Sequence, residues 1–474
     1  DKELLPYRTD GAYADRSLTT IARELTDRRL EGDSEHEDFD AGSSELWQRV
    51  TELWTAIEKG EPSWHVPTYG GTLFSSDPDV NPDGAALADI DLSDAEFGPT
   101  LSALLVDRSS DGLVGPVDFR SLSVREFGTI YEGLLESELS VAQQDLTETK
   151  KGLVPASGGA EIAVAEGEVY FHNRSGARKS TGSYFTKPFA VEHLLRHALA
   201  PAIDDHLERV GALVEAGDEA GAATALFDFR IADIAMGSGH FLVAAVDHLE
   251  ARFSRFLTEH PISPVGRELA ALQTAAENLL GDLAERYRID TTQVLRRLIA
   301  RRCVYGCDLN PVSVELARLA IWIHTFVPGL PLSFLDHNLV VGNSLSGVGT
   351  LDEVSDFVEG GLAKAHIDAQ IDAARPHLAR IAALSDARIE DVEAAREAAD
   401  AAREALQPAR RLLDMLVLAR AGLADMDPML LTDEEMVARR HRAPEAQGYI
   451  EALEPLHFPI TFPEVFLRDR PGFD

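Results

Sequence analysis

At 474 residues with 45% hydrophobic side chains, the chain is long enough for two or three structural units and too apolar for wholesale disorder, and no apolar run approaches a membrane span. Its 44 Lys and Arg against 80 Asp and Glu give a formal charge of -36. That excludes a general polyanion-binding surface, because nucleic-acid affinity comes from cations that displace counterions, and it suits a halophilic cytoplasm, where salt screens the self-repulsion of an acidic surface.

In chain order, residues 1–150 carry helical periodicity broken by acidic loops such as Glu31-Gly32-Asp33-Ser34-Glu35 and Ser75-Ser76-Asp77-Pro78-Asp79, and predict a mostly helical N-terminal domain. The opening, Asp1 to Pro6, has no basic leader, no apolar stretch and no Met, so it reads as neither a signal peptide nor a native start. Leu122 to Leu135 predicts an amphipathic helix, and the alternation Glu168-Val169-Tyr170-Phe171-His172 predicts a hairpin or edge strand. From 181 to 350 short apolar strands alternate with helices, the pattern of βαβ units on a parallel sheet and so of the α/β class. A helical excursion from Glu268 to Ala300 lengthens one connection. Residues 363 to about 425 place Ile371, Ala374, Leu378 and Ile381 at helical spacing and predict a hairpin or coiled-coil-like arm, kinked or begun at Pro376. Its charge makes it a solvated structural arm rather than a DNA clamp. The aromatic tail from His457 to Phe466 predicts an approach to another core strand.

Two segments carry chemistry. In Ile231-Ala232-Asp233-Ile234-Ala235-Met236-Gly237-Ser238-Gly239 a strand runs into a Gly-rich turn, and an apolar helix follows from His240. The glycines allow a tight bend and a close ligand, the helix start offers free N–H groups, and a carboxylate at the strand end can accept bonds from an ammonium group. Cys303 to Pro311 predicts a second strand ending in Asp308, an acid placed to accept ribose hydroxyls or to cap the helix from Val314 to His324. About 75 positions separate Asp233 from Asp308, against roughly 20 in a dinucleotide-binding unit, so that fold is disfavoured. Cys303 and Cys307, without a second Cys or His pair, are expected to be buried free thiols and no metal site. His240, His324, His337 and Trp322 are expected to pack structurally.

These motifs, in this order, resemble the large adenine-N6 DNA methyltransferases of type IIG restriction-modification systems and their BREX-type phage-defence relatives. Asp233-x-x-x-Gly237-x-Gly239 with His240-Phe241-Leu242 resembles their cofactor motif, and Thr181-Gly182-Ser183-Tyr184-Phe185-Thr186-Lys187-Pro188 the segment before it. Gly306-Cys307-Asp308-Leu309-Asn310-Pro311 resembles the ribose motif, and Leu335-Asp336-His337-Asn338 with Gly342-Asn343-Ser344-Leu345 the segment that holds the cofactor adenine. The resemblance implies a Rossmann-like core over 151–350 and 457–474 that binds S-adenosyl-L-methionine, with a helical insertion over 351–456. Thr186 and Pro188 would border the methionine moiety, and Asp233, Ala235, Gly237 and Gly239 would form the turn beside its amino and carboxylate groups. Asp308 would hold the ribose with Leu309 next to it, and Asn343 and Ser344 would meet the adenine edge, with Asn where the family often has Asp.

The implied partners are double-stranded DNA, reached mainly through parts outside this chain, and other defence-system subunits, in the cytoplasm and away from membranes. The family places its catalytic Asn-Pro-Pro-aromatic motif after a strand like Gly472-Phe473-Asp474, and these 474 residues contain none. Asn310-Pro311 belongs to the ribose segment, so no catalytic residue is assigned. The chain is expected to be a cofactor-binding fragment, inactive alone, of a site-specific methyltransferase. The rival readings are a non-catalytic module that binds S-adenosylmethionine and partner proteins, and a methylase of a small molecule or protein.

Overall fold

The computed structural model describes residues 11–31, 39–64, 66–71, 73–108, 112–119, 137–149, 152–156, 161–173, 186–281, 284–285, 288–332, 335–353, 362–424 and 434–474. The opening Asp1 to Pro6, the loop 32–35 and the expected helix Leu122 to Leu135 lie outside them. The chain divides into two compact units, Leu122–Val191 and the rest.

In the N-terminal part of the larger unit, helices α1 (Leu18–Glu31), α2 (Glu45–Lys59) and α3 (Asp94–Leu105) pack together. Leu46 and Val50 of α2, one turn apart, are buried against Ile21 and Leu25 of α1 and Leu101 and Leu105 of α3. A short antiparallel ribbon of β1 (Val106–Arg108) and β2 (Val114–Pro116) follows. In the smaller unit, β3 (Ser137–Val141) is antiparallel to β6 (Val169–Asn173), with Val141 opposite Val169, and β4 (Leu146–Thr149) to β5 (Gly152–Pro155). The alternating segment at Glu168 to His172 thus becomes a paired strand.

After helix α4 (Ala200–Glu215), strands β7 (Ile231–Asp233), β8 (Val304–Asp308) and β9 (Leu339–Val341) form a three-stranded parallel sheet in the order β7-β8-β9. Parallel strands need long crossovers. Helices α5 (His240–Glu259), α6 (Ser263–Leu280) and α7 (Thr291–Cys303) join β7 to β8, and α8 (Pro311–His324) joins β8 to β9. The expected excursion is α6 and α7. Val304, Tyr305, Gly306 and Cys307 of β8 are all buried, as a central parallel strand covered on both faces requires. The architecture is therefore mixed helix and sheet around a small parallel sheet. Both cysteines are free and fully buried, and burial pushes their thiols up to about 11 for Cys303 and about 12 for Cys307.

Among its described residues the insertion forms α9 (Leu362–Ala383), α10 (Ile389–Ala405), α11 (Gln407–Arg420), α12 (Glu434–His441) and α13 (Pro444–Leu453). Pro376 lies inside α9 and does not start it. The helices are not a solvated arm. Ile367, Ile371, Leu412, Leu413 and Leu416 bury a core of their own that takes in Val348 and Ile460 from the flanks of the sheet. The turn after α9 is fixed to α7 by a buried ion pair: Arg297 Nε donates to Asp386 Oδ2 at 2.9 Å, with side chains 1% and 2% exposed. Arg297 also donates to Pro331 O, and Arg301 to Leu384 O. Near the other end, Asp414 of α11 is buried against His441 (2.8 Å) and His457 (2.9 Å). Burial pushes its carboxyl up, but the two histidine bonds outweigh that and hold it down at about 2.

The tail approaches the sheet, as expected, by way of two single-turn helices, Phe458–Thr461 and Pro463–Phe466. Phe462 and Phe473 pack on Tyr305 of β8, and Asp474 N donates to Arg230 O at 2.8 Å, one residue before β7.

Two outcomes follow for stability. Asp386→Ala leaves the Arg297 guanidinium buried without its counterion and should lower the unfolding free energy by about 3–5 kcal/mol in denaturant titrations. Asp414 has a folded value near 2, below its unfolded value near 3.8, so its contribution of about 2 kcal/mol is full above about pH 5 and is lost as pH falls through about 2. The stability gap between wild type and Asp414→Asn should close over that window.

Candidate functional site

Parallel strands bring their carboxyl ends to one edge, where the connecting loops open a crevice. Asp233 ends β7, Asp308 ends β8, and Asn343 and Ser344 follow β9. Gly237 (φ +52°) and Gly239 (φ +78°) both take the left-handed conformation, which costs glycine little. Gly239 caps α5, and a Cβ there would lie 3.0 Å from Ala317 Cβ, so its glycine lets α5 start against α8. At Gly237 an added Cβ would meet nothing within 4 Å, which leaves the space over the turn open.

Asp308 fastens this edge together. Its Oδ2 accepts from Gly237 N at 2.9 Å, its Oδ1 from Asn310 N at 2.9 Å, and its carbonyl from Gly342 N at 3.0 Å. Asn310, not Asp308, caps α8, accepting from Val312 N at 3.0 Å. Asp233 Oδ1 accepts from Ala235 N at 3.1 Å. Burial, and then the charge of Asp308, push the Asp233 carboxyl above its ordinary range against that bond. Two carboxylates thus stand at one sheet edge, near enough for the charge of Asp308 to act on Asp233, and the Gly237 N–H that could have received a phosphate is already given to Asp308. The edge favours a cation and hydroxyl or N–H donors, and repels phosphate.

The loop after β9 is similarly engaged. Asn343 N donates to Glu454 O at 2.7 Å, and its side-chain Oδ1 accepts from Leu345 N at 3.1 Å, which leaves that oxygen a second lone pair. The Ser346 hydroxyl donates to Asn343 O at 3.3 Å, inside the same loop. Each loop also presents an exposed apolar side chain: Ile234 after β7, Leu309 after β8, and Val341 and Leu345 at β9, the last 88% exposed.

Asp233, Ala235, Gly237, Gly239, Asp308, Leu309, Asn343 and Ser344 therefore share one sheet edge. Thr186 and Pro188 belong to the unit Leu122–Val191, at the start of the helix Pro188–Leu194, and 181–185 lie outside the described residues. Sequence reasoning passed over Ile234, Val341 and Leu345, although each is an apolar residue at a strand end where a turn usually carries polar ones. His324 pairs with Asp247 at 2.7 Å, His337 with Glu464 at 3.0 Å, and Trp322 is buried. Among the described residues no group of three or more His, Cys, Asp or Glu side chains is placed to hold a metal, and no helix is long and apolar enough to cross a membrane.

No family model matches the chain, and no match was found among the curated proteins or the solved structures.

The turn makes its own prediction. Gly239→Ala adds contact with Ala317 to an unfavourable φ and should cost about 2–3 kcal/mol in chemical denaturation, whereas Gly237→Ala should cost only the conformational penalty of about 1 kcal/mol.

Proposed function

We propose that this chain is the S-adenosyl-L-methionine-binding half of a site-specific adenine-N6 DNA methyltransferase from a restriction-modification or phage-defence system, built on a Rossmann-like core. The observation that carries the cofactor is the Asp308 carboxylate seated on the Gly237 N–H beside Asp233. A crevice with that charge suits a ligand that brings a sulfonium, an ammonium group and a ribose diol, and disfavours dinucleotides and nucleoside triphosphates, whose phosphates would meet two carboxylates. The open space over Gly237 gives such a ligand room to approach the backbone.

When bound, S-adenosylmethionine supplies an electrophilic methyl group. The chain's own residues bind and orient. Each Asp308 oxygen keeps a lone pair after its backbone bond and accepts from a ribose hydroxyl. Asp233 takes the ammonium group, directly or through water. Asn343 and the Ser344 N–H meet the polar edge of the adenine, and Leu309 and Leu345 cover its faces. The assignment to DNA adenine rests on the order of the four motifs in the sequence. With a net charge of -36, DNA contact is local or made by another part of the enzyme. No Asn-Pro-Pro-aromatic motif is present to activate a target amino group, so this chain is expected to hold the donor without turning it over.

Titration calorimetry in low and in molar salt tests the donor site. S-adenosylmethionine and S-adenosylhomocysteine should bind, and Asp308→Ala should weaken both about tenfold or more through loss of charge-assisted hydrogen bonds. Tighter binding of ATP or NAD, or no binding of the methyl donor in either salt, sinks the reading. Affinity should fall as pH drops through the raised Asp233 value, beginning above the range of an ordinary aspartate near 3.8. The DNA assignment is tested with labelled donor, unmodified DNA and the full-length enzyme, where label absent from adenine N6 rejects it.

A further inference from the structure

The segment that returns from the insertion to the sheet grips the loop after β9. Leu456 N donates to Asn343 O at 3.1 Å, and Phe458 N to Val348 O at 3.0 Å, adding to the Asn343–Glu454 bond. Gly347 lies so close beneath this segment that a Cβ would overlap the Leu456 carbonyl oxygen. His457, 1% exposed, stands among these bonds. Its Nδ1 accepts from Val348 N at 3.2 Å, and its Nε2 lies 2.9 Å from Asp414 Oδ1 on α11. An imidazole that accepts at Nδ1 carries its proton on Nε2, and an aspartate placed opposite Nε2 selects that tautomer. His441 of α12 fixes Asp414 from the other side at 2.8 Å.

We propose that Asp414 and His457 are positioning residues for loop 343–348, through which the helical insertion sets the adenine end of the donor site. The proposal rests on reading that edge as the S-adenosylmethionine site. The loop lies beyond the last sheet residue of β9 and is bonded along one side by the 454–458 segment. A loop already ordered loses less entropy when a ligand arrives, so a bond remote from the ligand raises its affinity. Because Asp414 belongs to the insertion, any partner that shifts α11 acts on the loop by the same route.

The test separates the acceptor from the tautomer that provides it. In His457→Asn the amide Oδ1 stands near the Nδ1 position and still accepts from Val348 N. In His457→Gln the longer amide reaches Asp414 and leaves the Val348 N–H without an acceptor. Asp414→Asn removes the selection of tautomer. The readouts are hydrogen exchange at amides 344–348, referenced to Leu249 in α5, and S-adenosylhomocysteine affinity.

His457→Gln should speed Val348 exchange and weaken binding about tenfold, and His457→Asn should change both by less than about threefold. Asp414→Asn should weaken binding in the wild-type background and add nothing in the His457→Asn background, since an asparagine needs no tautomer chosen for it. If His457→Gln fails to fold, the Asp414→Asn pair carries the test alone. Equal losses in His457→Asn and His457→Gln, additive losses in the double variant, or wild-type exchange and affinity in Asp414→Asn would each overturn the proposal. Should the wild-type protein bind no S-adenosylhomocysteine, the donor-site reading fails by itself, and the exchange pattern still decides whether Asp414 and His457 hold the loop.

Discussion

The carboxylate at the end of the central strand holds the working edge of the sheet. Asp308 takes the N–H of the Gly-rich turn from one side, its carbonyl takes the N–H that opens the loop after β9 from the other, and its own loop is drawn in through Asn310. Three loops distant in sequence thereby acquire one geometry. The same bond decides the chemistry of the crevice. It fills with negative charge the position where a Gly-rich turn more often receives phosphate, and it raises the cost of a second charge at Asp233. A ligand that arrives with positive charge and hydroxyl donors relieves that cost, and a phosphate adds to it.

The insertion interacts with this edge as a fastened element. Its first turn is tied to α7 through Arg297 and Asp386, and its later helices reach the loop after β9 through Asp414 and His457. Buried ion pairs repay their desolvation poorly, and their use lies more in fixing one arrangement than in adding net stability. Here the arrangement fixed is that of the insertion's helices against the two ends of a short parallel sheet.

Much of this was legible in the sequence where local signals suffice. The alternation of strands and helices after residue 181, the acids at Asp233 and Asp308, the positive-φ glycines at 237 and 239 and the fully buried cysteines each follow from residue type and spacing. What was not legible depends on pairs far apart in the chain. Asp386 looks like an ordinary turn acid until Arg297, 89 residues earlier, is found against it. The charge of the insertion suggested a solvated arm because composition does not say which face is covered. The tail was expected to near a core strand because its apolar residues are dense, and it does so through Phe462 and Phe473 on Tyr305, by way of two single-turn helices with Pro459 and Pro463 in their first turns that its density alone does not announce. Asp308 was read as a ribose acceptor or as the cap of α8, and only geometry shows Asn310 making that cap.

The two cysteines give the sheet an unusual property. They are the only thiols in the chain, both fully buried, one at the end of α7 and one in the central strand next to Asp308. A thiol reagent in solution can therefore reach neither while β7, β8 and β9 stay paired under their helices. Alkylation of the unmodified protein thus reports two openings built into the native sequence, that of the α7–β8 junction through Cys303 and that of the central strand through Cys307.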